Sequence, residues 1–357
     1  MFEYRLYPSI VEKERIINSL KVCKIVYNDL LDTTIKTYAD SGTTLRKFDY
    51  NKLIKGKYDI HSQVAQNVSD RVHKAFSNFF RRIKDKSCKQ KGFPRFKSRV
   101  QSITYPQSGF KFISSNRLYV SKIGNIPIVL HRVPKGKIKT LTIKQNHIGQ
   151  WFAIFSCEVD IPVVEHANHE MIGIDVGIEN FATLSNGEVI VNPRFLVKSE
   201  ERLKRLHRRL SRTVKGSSNR CKAKFRLAKL SLKVANQRRD FIHKTAKTLT
   251  SRFSIIKREN LTIKNMVRNH CLAKSISDAS WNSLFQCLSY KAVTCGGRVE
   301  TVSARNTSKQ CSGCGTIIAM PLSKRKFLCP KCNLSIHRDL NASINIRNKN
   351  TVGLTEI

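Results

Sequence analysis

Two C-x2-C pairs stand near the end of the chain, Cys311-Ser312-Gly313-Cys314 and Cys329-Pro330-Lys331-Cys332, with fourteen residues between them. Knuckles at this spacing present four thiolates to one tetrahedral ion, and Gly313 and Gly315 let backbone amides approach the sulfurs. A redox dithiol needs only one such pair, and iron-sulfur clusters use other spacings. The pattern predicts a zinc ribbon with one structural Zn2+ on Cys311, Cys314, Cys329 and Cys332. Four thiolates close the shell against water, so this ion is expected to fold the ribbon and not to catalyse.

Three carboxylates carry a different chemistry. Asp175 ends the apolar run of MIGIDVG, Glu259 ends SIIKRE, and Asp339 opens a helix in HRDLNASINIR. Each alone has an ordinary reading, since a strand-end Asp commonly forms a turn and an Asp at a helix start commonly caps it. Together, an early strand with Asp, a later strand with Glu and a final helix with Asp can converge on divalent cations. Phosphodiester hydrolysis suits two ions about 3.5 to 4 Å apart, which activate water and stabilise the leaving oxygen. Oxygen ligands favour Mg2+ or Mn2+, and two such ions are expected. Arg338 either contacts the scissile phosphate or is a surface residue. Asn341 and Asn345, on successive turns, either orient the site or cap and pack.

These groups need elements to hold them. Ile16, Leu20, Cys23, Tyr27, Leu30 and Thr34 recur at helical spacing, as do Val64, Val68, Val72, Phe76, Phe79 and Ile83, so at least two helices lie in residues 10 to 85. Gly92 and Pro94 in KGFPRFKSR end that pattern. The segments GFKFI, NRLYV, NIPIVL, KIKTLTI and GQWFAIFSCEV then read as an antiparallel sheet or small barrel to about residue 161. After a polar connector at about 162 to 170, MIGIDVG starts a new domain, and FATLS with its Asn186-Gly187 turn reads as a hairpin partner. From Lys198 to Arg239, sixteen basic residues face only Glu200 and Glu201, with leucines at helical spacing on either side of Gly216. This basic helical hairpin is either a solvated face or a nucleic-acid contact through Arg205, Arg208, Arg209 and Arg212. SIIKREN reads as a buried strand, residues 276 to 295 as a helix, and RVETVSA as another strand.

Composition limits the partner. The 357 residues hold 66 Lys and Arg against 25 Asp and Glu, a formal charge of +41, and 40% are apolar. That is a folded chain built for a polyanion. A membrane role is not expected, because no apolar run approaches the roughly 18 to 20 residues of a spanning helix. MFEYRLYPSI has no signal-peptide pattern, so the cytoplasm is the expected location. Of eleven cysteines, the seven outside the quartet are scattered singly, as reduced thiols usually are.

GIDVGIENFATLS, the strand end REN, SYKAVTCGGRVETVSARNTSKQCSGCG and HRDLNASINI resemble the nuclease core and zinc finger of the TnpB family, the OrfB proteins of insertion sequences. YRLYPS and GFPRFKSR resemble the family's N-terminal half. The resemblance implies an RNA-guided DNA endonuclease, related to compact type V CRISPR effectors, with guide RNA and double-stranded DNA as partners. Asp175, Glu259 and Asp339 match its three acidic positions; His337 stands where the family often has another Asp. The implied fold is multidomain α+β. Residues 1–9 and 90–165 form a wedge-like β-barrel, 10–89 a helical recognition insert, and 171–357 an RNase H-like (RuvC) domain into which 306–335 insert the ribbon. Two alternatives are a transposase acting directly on DNA ends and a non-cleaving nucleic-acid-binding regulator. The acids cannot separate nuclease from transposase; the resemblance favours the nuclease, because strand transfer in such elements is usually assigned to a separate protein with a nucleophilic tyrosine. No acid is missing, as a regulator would allow, and a ribosome-associated ribbon protein would leave the acids unexplained.

Overall fold

Phe2–Leu6 forms β1, and the chain then leaves the sheet for three helices, α1 (Ile10–Ser41), α2 (Lys47–Ile54) and α3 (Ser62–Lys84). Ser9 starts α1 with a capping box: its hydroxyl accepts from the Glu12 amide, and the Glu12 carboxylate accepts from the Ser9 amide at 2.7 Å. Six strands follow: β2 (Ser102–Pro106), β3 (Phe110–Ser114), β4 (Arg117–Val120), β5 (Gly124–Val129), β6 (Lys137–Gln145) and β7 (Trp151–Glu158). The hydrogen-bonded order is β2-β6-β7-β1-β5-β4-β3, with every pair antiparallel. The first strand in sequence is therefore central, and the helices enter between it and the rest. The ladder runs open from β2 to β3 and does not close into a barrel among the described residues. Arg71 of α3 donates to Ser102 O and Thr104 Oγ1, fastening the helices to β2.

This computed structural model describes residues 1–88, 90–160, 165–321 and 324–354. The chain divides into two units, Met1–Asp160 and Ile161–Ile357. Residues 161 to 164, part of the expected connector, lie outside the described residues.

The second unit holds a six-stranded sheet. Its strands are β8 (Met171–Val176), β9 (Asn180–Leu184), β10 (Val189–Val191), β11 (Ile255–Glu259), β12 (Arg298–Val302) and, following two ribbon strands, β15 (Thr351–Leu354). The order is β10-β9-β8-β11-β12-β15, with β8, β11 and β12 parallel and the others antiparallel to their neighbours. Between β10 and β11 run α4 (Phe195–Ser211) and α5 (Ser218–Arg252), the basic hairpin. The short α6 (Ile263–Met266), then α7 (Ala273–Ala279) and α8 (Trp281–Thr294) lie between β11 and β12; the single helix expected over 276 to 295 breaks at Ser280, which adopts φ +55°. The ribbon strands are β13 (Lys326–Leu328) and β14 (Ser335–His337), and α9 (Arg338–Asn348) leads to β15.

Strand periodicity sorts the side chains between two faces. Ile172, Ile174, Ile256 and Val299 share one core with α5 and α8, including Ile242, Leu249, Trp281 and Leu288. Gly173, Asp175, Lys257, Glu259 and Glu300 alternate with them and lie on the opposite face, where α9 packs. The contact is unusually close at Gly173: a Cβ there would stand 2.2 Å from Ser343 O and 2.6 Å from Arg347 N. Gly173→Ala is expected to push α9 off β8 and to destabilise the second unit by about 1–3 kcal/mol. Chemical denaturation would measure the loss, and an unchanged midpoint would mean that α9 has another place to rest.

Candidate active site and zinc ribbon

The close approach at Gly173 sets a register. Asp175 lies two strand residues beyond Gly173, about 6.6 Å along β8, while Asp339 lies four helical residues before Ser343, about 6 Å along α9. The charge of Asp339 acts on Asp175, so the two carboxylates are neighbours. Glu259 arrives from the neighbouring strand, because the parallel ladder pairs Ile174 with Arg258 and the next position on each strand is the acid. The structure thus brings Asp175, Glu259 and Asp339 together from β8, β11 and the first turn of α9.

Their electrostatics show the crowding. Burial, followed by the charges of Glu259 and Asp339, pushes the Asp175 carboxyl well above the ordinary aspartate value, against a smaller opposing effect from Arg338. Glu259 is also raised by burial, and is held back by a hydrogen bond from Thr307 and by the charge of Lys349. Such a set of oxygens fits divalent cations, which would relieve both the burial and the repulsion. It is nevertheless looser than the cysteine set, which among the described residues is the group of His, Cys, Asp and Glu close enough to share one ion.

Several partners were not foreseen from sequence. Thr307 is buried and its hydroxyl donates to Glu259 Oε1, while Lys349 Nζ reaches Ser303 O and Arg305 O beside the same acid. Arg325 lies at the edge, 3.1 Å from Glu179 and 3.9 Å from Asp339. None of these has a local signal, since each contact joins residues far apart in the chain. Arg338 is not the surface residue of the second reading. It is buried, and its guanidinium donates to Pro321 O at 3.3 Å and Ser308 Oγ at 3.4 Å, so its hydrogen bonds serve the ribbon. His337 is the N-cap of α9, its Nδ1 accepting from the Asp339 amide at 3.3 Å; an Asp at this position would accept the same bond.

Asn341 and Asn345 orient the ribbon. Asn341 accepts from the Ser312 amide at 2.9 Å and donates to Gln310 O at 2.7 Å, and Asn345 donates to Thr307 O and Gln310 O. One helix therefore presents Asp339 to the acids and holds the segment that leads into the first knuckle. The four Sγ atoms lie within 4.8 Å of one another, with Cys311 to Cys332 and Cys314 to Cys329 both 3.5 Å. A tetrahedral ion with Zn–S bonds of about 2.3 Å places its sulfurs about 3.8 Å apart, so the quartet fits. The Thr316 hydroxyl and amide lower the Cys314 thiol to about 6, while Cys332, against a backbone hydrogen bond at Leu334, is pushed up to about 12 by its hydrogen bonds to the other three sulfurs, so the thiols share protons unevenly. Gly315 adopts φ +77°, a conformation that favours glycine, whereas a Cβ on Gly313 would meet its neighbours at ordinary contact distance. The ribbon's core consists of Cys311, Phe327 and Cys329 with a few half-buried side chains, too little to fold alone.

Residues 154–270 match the OrfB family model described as "Probable transposase", and 281–346 match the "Cas12f1-like, TNB domain". A Streptomyces pristinaespiralis protein named "Putative RNA-guided DNA endonuclease" is 30% identical over 97% of this chain and 88% of its own length. This chain belongs to the TnpB/OrfB family. An Escherichia coli K12 relative, "Putative RNA-guided DNA endonuclease InsQ", is 33% identical over 81% of this TnpB-family chain and 74% of its own. The fold is that of a Cas12f1 solved in complex with sgRNA and target DNA, with a TM-score of 0.62 over 96% of this chain and 83% of that one, at 16% identity. The first family model spans Asp175 and Glu259; the second spans the cysteine quartet and Asp339. Arg205, Arg208, Arg209 and Arg212 are all exposed on or just beyond α4. No helix among the described residues is long and apolar enough to cross a membrane.

Two outcomes are expected. Cys314→Ser should release the bound metal and lower amide protection in Lys326–Leu328 and Ser335–His337 while sparing β8; less than about half a zinc per chain in the unaltered protein, by elemental analysis, would remove the basis for this. The second concerns Asp175. A carboxyl whose folded-state pKa exceeds its unfolded value costs stability once pH rises above the unfolded value. Asp175→Asn should therefore raise the neutral-pH melting temperature in chelator-treated buffer and erase the further rise that Mg2+ gives the unaltered protein. A lower melting temperature for the Asn variant would mean that the carboxylate is not under repulsion.

Proposed function

We propose that the chain is an RNA-guided DNA endonuclease whose cut is made at Asp175, Glu259 and Asp339. The observation that carries this reading is the convergence of three carboxylates where α9 meets the sheet, with Asp175 raised first by burial and then by the charges of Glu259 and Asp339. Around it stands a chain of +41 charge, which supports two polyanions as partners. The strand order, three antiparallel strands running into two parallel ones, supports an RNase H-like (RuvC) domain over 171–357 with the ribbon at 306–335. Residues 1–9 and 90–165 are read as the wedge-like domain, built on the open seven-stranded sheet, and 10–89 as its helical recognition insert.

In this reading Asp175, Glu259 and Asp339 hold two Mg2+ or Mn2+ ions, which when bound supply Lewis acidity to the attacking water and the leaving oxygen. The protein's own groups supply position. Thr307 fixes one oxygen of Glu259, Lys257 donates to Lys349 O at the end of α9, and Gly173 lets that helix down onto the strand. Arg325 offers a guanidinium to a phosphate beside Asp339. Cys311, Cys314, Cys329 and Cys332 hold one structural Zn2+. Arg205, Arg208, Arg209 and Arg212 add phosphate contacts that do not depend on sequence. Base pairing with the RNA reads the target, leaving the protein to hold the heteroduplex by shape and backbone.

The deciding experiment expresses the chain with and without the transcript flanking its gene, then offers a plasmid bearing a guide-matched target beside randomised border sequence. Cutting is expected only with RNA and Mg2+, at matched targets beside one enriched border motif, and Asp175→Ala should abolish it while RNA and DNA binding persist. Site-specific cutting or joining of DNA ends by RNA-free protein would instead establish a transposase, and comparable cutting by the Ala variant would move the active site elsewhere.

A further inference from the structure

The KGFPRFKSR segment belongs to the first unit, whereas the acidic residues belong to the second. It carries no regular secondary structure from Lys91 to Phe96, yet it is firmly held to the first unit's helices. Arg82 donates to Gly92 O at 2.7 Å, and Phe93 packs edge-on against Phe76 and Phe79 at ring separations of 5.8 and 5.0 Å. Asn28 grips the Lys97 backbone twice, donating to its carbonyl at 3.1 Å and accepting from its amide at 2.8 Å, and the Lys97 ammonium sits 5.3 Å from the Tyr27 ring centre. Between these two clamps Pro94 restricts the backbone.

A segment fixed this way nevertheless turns a large apolar ring to solvent: Phe96 is 56% exposed, between the exposed cations Arg95 and Lys97. From Arg81 to Arg99 there are nine Lys and Arg against the single acid Asp85. A protein partner is a poor match, because lysine is depleted from the cores of protein interfaces. Single-stranded nucleic acid matches both features, since its phosphates meet the cations and its unpaired bases have faces to stack on an aromatic ring; in a duplex those faces are already covered.

We propose that Lys91 to Arg99 is a binding site for unpaired nucleic acid, in which a base stacks on Phe96 and Arg95, Lys97 and Arg99 meet the flanking phosphates. The inference shares the polyanion reading with the proposed function but does not rest on cleavage. RNA and displaced DNA offer the same chemistry, and the experiment separates them.

In the full-length chain, Phe96→Trp adds an exposed indole to a protein whose own Trp151 and Trp281 are buried. Titration with oligouridylate, oligothymidylate and a hairpin duplex should quench this indole with the single strands and leave it bright with the duplex. Phe96→Ala, which removes an exposed ring and should melt normally, is expected to weaken single-strand binding by about five-fold or more without changing its salt dependence. Arg95→Gln and Lys97→Gln should each reduce the logarithmic salt slope by about 0.7. Stronger quenching by RNA assigns the site to the guide, and by DNA to the displaced strand; either supports the proposal. An unquenched indole together with unaltered affinity in Phe96→Ala overturns it, as does a preference for the duplex, whatever the outcome of the plasmid cleavage assay.

Discussion

The seating of α9 on β8 is the contact on which the second unit's chemistry depends. Gly173 lets the two backbones approach to a distance that a single Cβ would forbid, and this closeness fixes the helix along its length. At its C-terminal end the buried Lys257 ammonium donates to Lys349 O, placing positive charge where the helix dipole is negative. At its N-terminal end Asp339 faces Asp175. In between, Asn341 and Asn345 turn away from the sheet to hold the Thr307–Ser312 backbone. Were α9 to shift by one residue, Asp339 and the asparagine contacts would be misplaced together, because they are spaced along one rigid rod.

The same seating explains how a strongly basic chain can tolerate a buried acidic cluster. Burial raises Asp175 and Glu259, and for Asp175 the charges of Glu259 and Asp339 add to the penalty. Nearby cations offset it only in part: Arg338 acts on Asp175 while its hydrogen bonds go to Pro321 and Ser308, Lys349 acts on Glu259 while bonding Ser303 O and Arg305 O, and Arg325 is shared between Glu179 and Asp339. Both Asp175 and Glu259 stay raised despite these charges.

Much of this was legible in the sequence wherever a pattern is local. The two C-x2-C knuckles, the apolar runs ending in Asp175 and Glu259, the Asn186-Gly187 turn and the basic hairpin each carry their geometry in adjacent residues. Phe79 and Ile83 fit the helical period of α3 but are not buried: Phe79 is half-buried against Phe80 and Phe93, and Ile83 lies exposed in the last turn. The strand Ser102–Pro106 and helix Lys47–Ile54 were not read, the first because SITYP is short and ends in proline, the second because KFDYNKLI buries only Tyr50 and Ile54. Arg338 illustrates a harder limit. Its position beside Asp339 is visible in sequence, but a helix turns neighbouring residues by about 100°, so adjacency in the chain gives no common direction.

The two metal chemistries implied here are separated by ligand type and joined by backbone. Soft thiolates select zinc and close around it, whereas carboxylates suit harder cations and leave coordination sites for water and phosphate. The first knuckle begins at Cys311, one residue after Gln310, whose carbonyl both α9 asparagines hold, and four residues after Thr307, whose hydroxyl holds Glu259. The ribbon is thereby more than an appendage on a surface loop. Its entry segment carries Thr307, which holds Glu259, and a metal held by the four thiolates would fix a fold with almost no apolar core beside it.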